Sequence, residues 1–308
     1  MKKFRTPGLL ATIVFAVAEN CFLPSTVIAD DPAKSPDVAA RQLAIRILDD
    51  SVPEATREAV IAGSSVDAAS MIVAMTAGLP NDSKEEYRRI PWIWRVAVAC
   101  GKRNQSTQIR QVLDASVPLI DQPLRDWQAV VIGGGIINGI SLQRDWPKQR
   151  LEEILREHPE LQKRFHRTLE LAARLADNKS VPSGTRYDAL RIMALDDWTL
   201  RREQIVKYLG QGVDDELQQG AISALSDIQA EDVPGLLLED IAHFQGENRA
   251  AAIAALLRSD LRIELLLDAI AAGKLDVSLL NAAQCKSLRE SKNPTIKARS
   301  IHVLGNAE

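Results

Sequence analysis

The chain is predicted to be all-α: an α-solenoid of HEAT/armadillo-like helix pairs. Three observations predict this. The first is a helical pentad that returns. Arg191–Leu195 reads R-I-M-A-L, Ala221–Leu225 reads A-I-S-A-L and Ala252–Leu256 reads A-I-A-A-L. Ile192 precedes Ile222 by 30 residues, and Ile222 precedes Ile253 by 31. A looser copy, S-I-H-V-L, stands at Ser300–Leu304. Self-similarity at this period in helical segments marks a stacked helical array. The second observation is composition. Hydrophobic residues make up 46% of the chain and aromatics only 4%. Ala, Leu and Ile therefore supply the apolar mass, which suits closely packed helices. Third, no segment reads as a convincing strand. The nearest case, Ala129–Ile132, fits one face of a buried helix.

The elements follow in order. Asp37–Asp50 is amphipathic through Leu43, Ile45, Ile47 and Leu48. Pro53 suits the first turn of the next helix. Val66–Ala77 ends at Gly78 and Pro80. Ser83 with Glu86 three residues on has the capping-box spacing, and opens a helix that Pro91 is expected to kink. Ser106–Ala115 stops before Pro118. A helix is expected from Pro123 through Trp127 to about Leu142, stopped by Trp146-Pro147. Lys148–Glu157 and Glu160–Asp177 follow, then a polar loop at Asn178–Ser183. From Gly184 the repeat is regular. Arg186–Leu195 pairs with Leu200–Leu209, Asp215–Ile228 with Val233–Phe244, and Arg249–Leu257 with Arg262–Ala272. Asp276–Glu290 and Asn293–Leu304 close the array. Residues 144–148, R-D-W-P-K, form the candidate seam between sub-domains, because Pro147 interrupts the helical pattern there.

The first 29 residues read as a secretory signal peptide. Lys2, Lys3 and Arg5 form a positive n-region, Gly8–Ala18 is a short apolar run, and Val27-Ile28-Ala29 offers small residues for cleavage after Ala29. Residues 30–36 are a polar leader, and 37–308 the helical array. Export to the periplasm or extracellular space is expected, with no membrane span after cleavage. Cleavage would remove three basic residues and Glu19, moving the net charge from −3 to −5. No Lys/Arg block stands out, which disfavours nucleic acid and anionic membrane as partners. Of the cysteines beyond the signal, Cys100 and Cys285 are expected to be two buried free thiols.

Candidate chemistry is sparse. Gly133-Gly134-Gly135-Ile136-Ile137-Asn138-Gly139 resembles a phosphate-cradling loop, but no strand precedes it and no G-K-[ST] follows. Gly135 and Gly139 instead have the spacing of a close helix contact or a broken helix, with a ligand-binding backbone site as the other reading. Tyr87-Arg88-Arg89-Ile90-Pro91-Trp92-Ile93-Trp94-Arg95 concentrates the residue types of interface hot spots. Its bland counterpart is a core seam with a tryptophan filling a helix elbow. Arg186-Tyr187-Asp188 suits either a polar ligand or an internal ion pair and hydrogen bond. The candidate interaction or ligand surface is therefore Tyr87, Arg88, Trp92, Trp94, Arg95, Trp127, Gly134, Asn138, Arg186 and Asp188. No catalytic, cofactor-binding or metal-ligating residue is assigned. The four histidines form no metal spacing, and neither G-x-S-x-G nor C-x-x-C-H occurs.

Tyr87–Asn104, Pro123–Ile140 and Leu265–Leu304 together resemble one known module. It is the HEAT-like helical region of planctomycete-type secreted membrane-bound dehydrogenase-like proteins. There a β-propeller precedes the helical region and a cytochrome-c-like domain follows it. The resemblance implies the helical fold and an exported location. It does not transfer dehydrogenase activity, because the propeller and haem parts are expected to be absent here. The expected function is an exported, non-catalytic interaction or scaffold module that docks a protein partner, such as a separately encoded dehydrogenase or cytochrome. The alternative is an enzyme or small-ligand binder using a cleft lined by Trp92, Trp94, Trp127 and Gly133–Gly139.

Overall fold

The periodic apolar residues do form helices, and their ends are set by local chemistry. The computed structural model describes residues 36–79 and 83–305. These fall within one unit, Ser35–Glu308; a second unit, Met1–Lys34, lies outside the described residues, as do the expected signal peptide and nearly all of the leader. Among the described residues there are sixteen α-helices and no strand. They are α1 (Pro36–Leu48), α2 (Glu54–Gly63), α3 (Ala68–Thr76), α4 (Ser83–Arg103), α5 (Ser106–Ser116), α6 (Gly133–Leu142), α7 (Pro147–Arg156) and α8 (Pro159–Asp177). The later ones are α9 (Ser183–Met193), α10 (Trp198–Val206), α11 (Asp215–Asp227), α12 (Val233–Asp240), α13 (Gly246–Leu256), α14 (Asp260–Ala271), α15 (Ala282–Arg289) and α16 (Pro294–Leu304). None is long and apolar enough to cross a membrane.

Short polar side chains start many of these helices. Asp67, Asp197 and Asp214 each accept a backbone N–H of the first turn of α3, α10 and α11. Such caps satisfy donors that a helix leaves orphaned. Asn281 and Gln284 form a reciprocal capping box at α15. Proline occupies the first turn of α7, α8, α12 and α16, where no N–H is needed.

The helix through Pro91 is unbroken from Ser83 to Arg103. Two segments differ from expectation. The helix expected from Pro123 begins only at Asp126, and Trp127–Ile132 is π-helical before α6 takes over. Ala129–Ile132 is buried on every side because α4, α5, α8 and α9 all pack against this stretch. An all-apolar sequence fits that environment, which is why no polar face marks it. Asp276–Glu290 is not one helix. Asp276 accepts the Ser278 N–H and starts a short 3-10 turn, Val277–Leu279, and the Asn281 box then restarts the chain.

Much of the packing joins a helix to its next-but-one neighbour, though α8 and α9 pack directly. α1 packs on α3 and α3 on α5. α4 lies against α6, and α6 against α9. α9, α11 and α13, which carry the three pentads, pack in succession, as do α12, α14 and α16. Ile192, Ala221, Ile222, Leu225, Ala252, Ile253 and Leu256 are all in the core. Each buried Leu or Ile contributes ~1.5–3 kcal/mol.

Helix C-termini are closed by arginines from neighbouring elements. Arg88 donates to Leu48 O (2.7 Å), Arg89 to Met75 O (2.9 Å), Arg164 to Val117 O (2.7 Å) and Arg186 to Ala176 O (2.8 Å). Arg262 donates to Leu225 O (3.2 Å) on α11 and Ala255 O (3.0 Å) on α13. The last carbonyls of a helix lack internal partners and carry its negative dipole end, so a guanidinium there answers both needs.

Both described cysteines are free. Cys100 is buried, and burial pushes its thiol up to about 11. Cys285 is only half-buried, because α15 is a short peripheral helix that buries Leu288 and little else.

Leu225 is fully buried between two stacked helices, so Leu225→Asp should lower stability by ~4 kcal/mol or more. Thermal melts followed by circular dichroism should show a melting temperature lowered by many degrees. An unchanged melting temperature would refute the packing described here.

Candidate functional site

The residues singled out by sequence do not converge on one surface. The glycine segment is a helix contact. A Cβ on Gly139 would lie 2.3 Å from Val98 O, and one on Gly101 would lie 2.3 Å from Ile136 O. On Gly135 it would meet Ala97 Cβ at 2.7 Å and Trp94 O at 2.9 Å. The backbones of α4 and α6 thus touch, and only glycine permits it. What precedes Gly133 is helical, so the phosphate-loop geometry is not present.

The Trp/Arg segment is largely internal. Trp92 is buried, with the Arg57 guanidinium 4.0 Å and that of Arg95 4.6 Å from its ring centroid. Arg95 pairs with Glu54 (2.6 Å) and Glu58 (3.1 Å) on α2. Arg88 pairs with Glu85 (2.8 Å) and Asp50 (3.3 Å). Trp127 is buried, and its indole N–H has no partner. Tyr87 is half-buried; burial, with Asp126 and Glu86 nearby, raises its hydroxyl pKa. Arg186 bonds Ala176 O and the Tyr208 hydroxyl (3.2 Å). The interaction-surface assignment is therefore corrected for Trp92, Trp127, Gly134 and Asp188, which lie in the interior. The arginines of the segment are paired within the chain, Arg95 with Glu54 and Glu58 of α2 and Arg88 with Glu85 of α4 and Asp50. Neither concavity described below is lined by Trp92, Trp94 or Trp127.

Asp188 joins two of the segments. Trp94 Nε1 donates to its Oδ1 at 3.2 Å. Gly134 makes room for it, since a Cβ there would lie 2.6 Å from the same oxygen. Among the described residues the Arg186–Asp188 trio forms no ion pair; the bonds it makes are hydrogen bonds between elements. Burial pushes the Asp188 carboxyl up to about 8, although the Arg191 charge and the Trp94 bond pull the other way.

The two concavities differ in character. One, of about 320 Å³ between α1, α2 and residues 64–66, is lined by Leu43, Val60 and backbone, with no titratable side chain. The other, of about 290 Å³, opens across α6, α9, α11 and α13. Its wall includes Asn138, Arg144, Arg191, Ser226, Asp227 and Arg258. Of the residues singled out from sequence, only Asn138 lines it.

At its base sits Asp227, whose side chain is 1% exposed. Its Oδ2 accepts from Arg191 at 2.7 Å. Its Oδ1 accepts from the Ser141 hydroxyl at 2.6 Å and also from Arg258. Arg191 further donates to Asn138 Oδ1 at 2.6 Å. Burial opposes the Arg191 charge, but Asp227 overrides it and holds the guanidinium above its ordinary pKa. Arg258 also donates to Ser226 O (3.1 Å) and to Asp145 O in the turn after α6, and stacks 4.4 Å over Trp146. The Nε atoms of Arg191 and Arg258 are buried without partners. Sequence reasoning missed Asp227 and Arg258. The available signal was register: each stands two residues beyond a pentad leucine, Asp227 as the last residue of α11 and Arg258 in the turn after α13.

No group of three or more His, Cys, Asp or Glu among the described residues is arranged to hold a metal ion. Comparison with family models, with curated proteins and with solved structures gave no match for this chain.

Two predictions follow from this geometry. Gly139→Ala should destabilise the fold by ~1–3 kcal/mol or more, because backbone must move to admit the methyl. Gly63→Ala, which meets nothing within 4 Å, is the control expected to be neutral. Equal urea midpoints for the two variants would refute the contact. Asp188 holds its proton to about pH 8 in the fold, against an ordinary value of 3.8. Its stabilising share is therefore complete below pH 3.8 and is lost as pH rises toward 8. Asp188→Asn, which cannot ionise, should gain stability over wild type on going from pH 5 to pH 8 (~1.4 kcal/mol per unit of pH at most). A constant difference across that range would count against a protonated Asp188.

Proposed function

We propose that this protein is an exported, non-catalytic interaction module: an α-solenoid of HEAT-like helix pairs that docks a separately encoded redox protein, a dehydrogenase or a cytochrome. One observation carries the reading. The three pentad helices α9, α11 and α13 pack each on the next, and α6 extends the row, so four elements distant in sequence contribute side chains to one open groove. Stacked helix pairs of this kind bury their apolar faces against one another and leave an extended exterior for partners. The reading of residues 1–29 as a signal peptide supports export, and the segments that resemble the helical region of secreted dehydrogenase-like proteins support a redox partner.

Two measurements test this. The protein recovered from the cell envelope should begin at Asp30 by N-terminal sequencing; a retained Met1 would defeat the cleavage. Affinity capture from native periplasm should enrich a protein bearing a haem or another redox cofactor, visible by its absorbance bands. A bait that retains no such protein ends the redox-docking proposal.

A further inference from the structure

We propose that the groove across α6, α9, α11 and α13 binds a carboxylate presented by an acidic peptide segment of a protein partner. This rests on the interaction-module reading and names the chemistry of the partner.

The argument begins with charge. Three guanidinium groups line the groove, those of Arg144, Arg191 and Arg258, and one acid, Asp227, faces them. Both oxygens of Asp227 are already engaged, Oδ2 by Arg191 and Oδ1 by Ser141 and Arg258. Asp145, beside Arg144 in the chain, accepts at Oδ2 from Asn104 Nδ2 instead. Arg262, next to Arg258 but outside the groove's lining, spends its donors on helix carbonyls; burial, with the Arg258 charge adding to it, lowers its pKa to about 10.

Donor geometry points the same way. Arg144 is exposed just beyond α6, held in a left-handed conformation (φ 65°). It supplies a planar fork of donors at the rim. The Arg191 and Arg258 side chains are 5% and 9% exposed, and each keeps a buried Nε–H with no acceptor. Ser226 Oγ accepts from Arg258 at 3.2 Å, which leaves its hydroxyl hydrogen for an incoming oxygen. Guanidinium forks favour the planar, two-oxygen geometry of a carboxylate.

Size and rim select a peptide. About 290 Å³ is at the small end for ligand pockets, enough for one or two acidic side chains. The α13 rim is built of Ala251 and the exposed Ala254, so an extended backbone can cross it without obstruction.

The test uses the purified chain and fluorescein-labelled hexaglutamate, with anisotropy as readout. Saturable binding is expected, weakening at least ~tenfold between about 50 and 500 mM salt. Hexalysine should not bind. Arg144→Ala should weaken binding ~fivefold or more, and Ala254→Glu should abolish it; both residues are exposed, so melting temperatures should hold. Absence of saturable hexaglutamate binding, or wild-type affinity in both variants, overturns the proposal. So does displacement of the peptide by inorganic phosphate more readily than by acetate at equal ionic strength. A periplasmic partner captured equally by wild type and both variants overturns the groove assignment while leaving the interaction-module reading intact. Hexaglutamate binding with no redox protein captured supports the groove and counts against the redox partner.

Discussion

The buried Asp227 carboxylate is the constraint on which the middle of the molecule depends. Its partners come from α6 through Ser141, α9 through Arg191 and the turn after α13 through Arg258, while Asp227 itself ends α11. Through Arg258 the same carboxylate is tied to the turn before α7, at Asp145 O and the Trp146 ring. Loss of one partner from such a cluster leaves the others charged and dry, which in comparable buried pairs costs ~3–5 kcal/mol. A buried ionic cluster is not the most stabilising way to fill space; hydrophobic residues of the same volume often do as well or better. What it adds is register. Apolar faces built from Ala, Ile and Leu can slide past one another at little cost, whereas Arg191 meets Asp227 in only one alignment of α9 and α11.

The glycine contact between α4 and α6 does the same for the other half of the chain by the opposite means. Here register is set by exclusion: Gly101, Gly135 and Gly139 sit where no side chain can. Each glycine within a helix costs about 1 kcal/mol relative to alanine, and close backbone packing offsets that cost. α6 takes part in both devices. Its Gly135 and Gly139 face α4, its Gly133 and Gly134 face α9, and its Asn138 and Ser141 meet Arg191. It therefore fixes the relation between the first helices and the pentad helices.

Local pattern made the helices legible, because periodic Leu, Ile and Ala and short polar caps act within a few residues. The pentads correctly marked α9, α11 and α13 as buried, and the Gly135/Gly139 spacing correctly suggested a close helix contact. The Trp/Arg segment left both a core seam and a partner surface open for a definite reason. Its composition is the same whether its arginines meet a partner or meet Glu54, Glu58, Glu85 and Asp50 of this chain, and only tertiary placement decides. The π-helical stretch was hidden because all-round burial removes the polar face that would have reported its period. The groove was invisible because Asn138, Arg191 and Asp227 are brought together from three helices across 89 residues of chain, between which sequence carries no pairing signal.

The distribution of unspent charge separates structural arginines from available ones. Where an arginine closes a helix C-terminus or pairs with an exposed acid, its donors are consumed and its field is cancelled nearby. Arg88, Arg95 and Arg186 are of this kind. In the groove the accounting does not close: three guanidiniums line it beside one carboxylate, which pairs with Arg191 and Arg258, while Arg144 is exposed at the rim. A fold whose overall charge is −3 would gain nothing in stability from gathering cations in one concavity. Mutual repulsion there is a cost that folding alone does not repay, but an incoming anion does. In the groove, then, the described residues set three cations against a single acid, an imbalance that an acidic segment would complete.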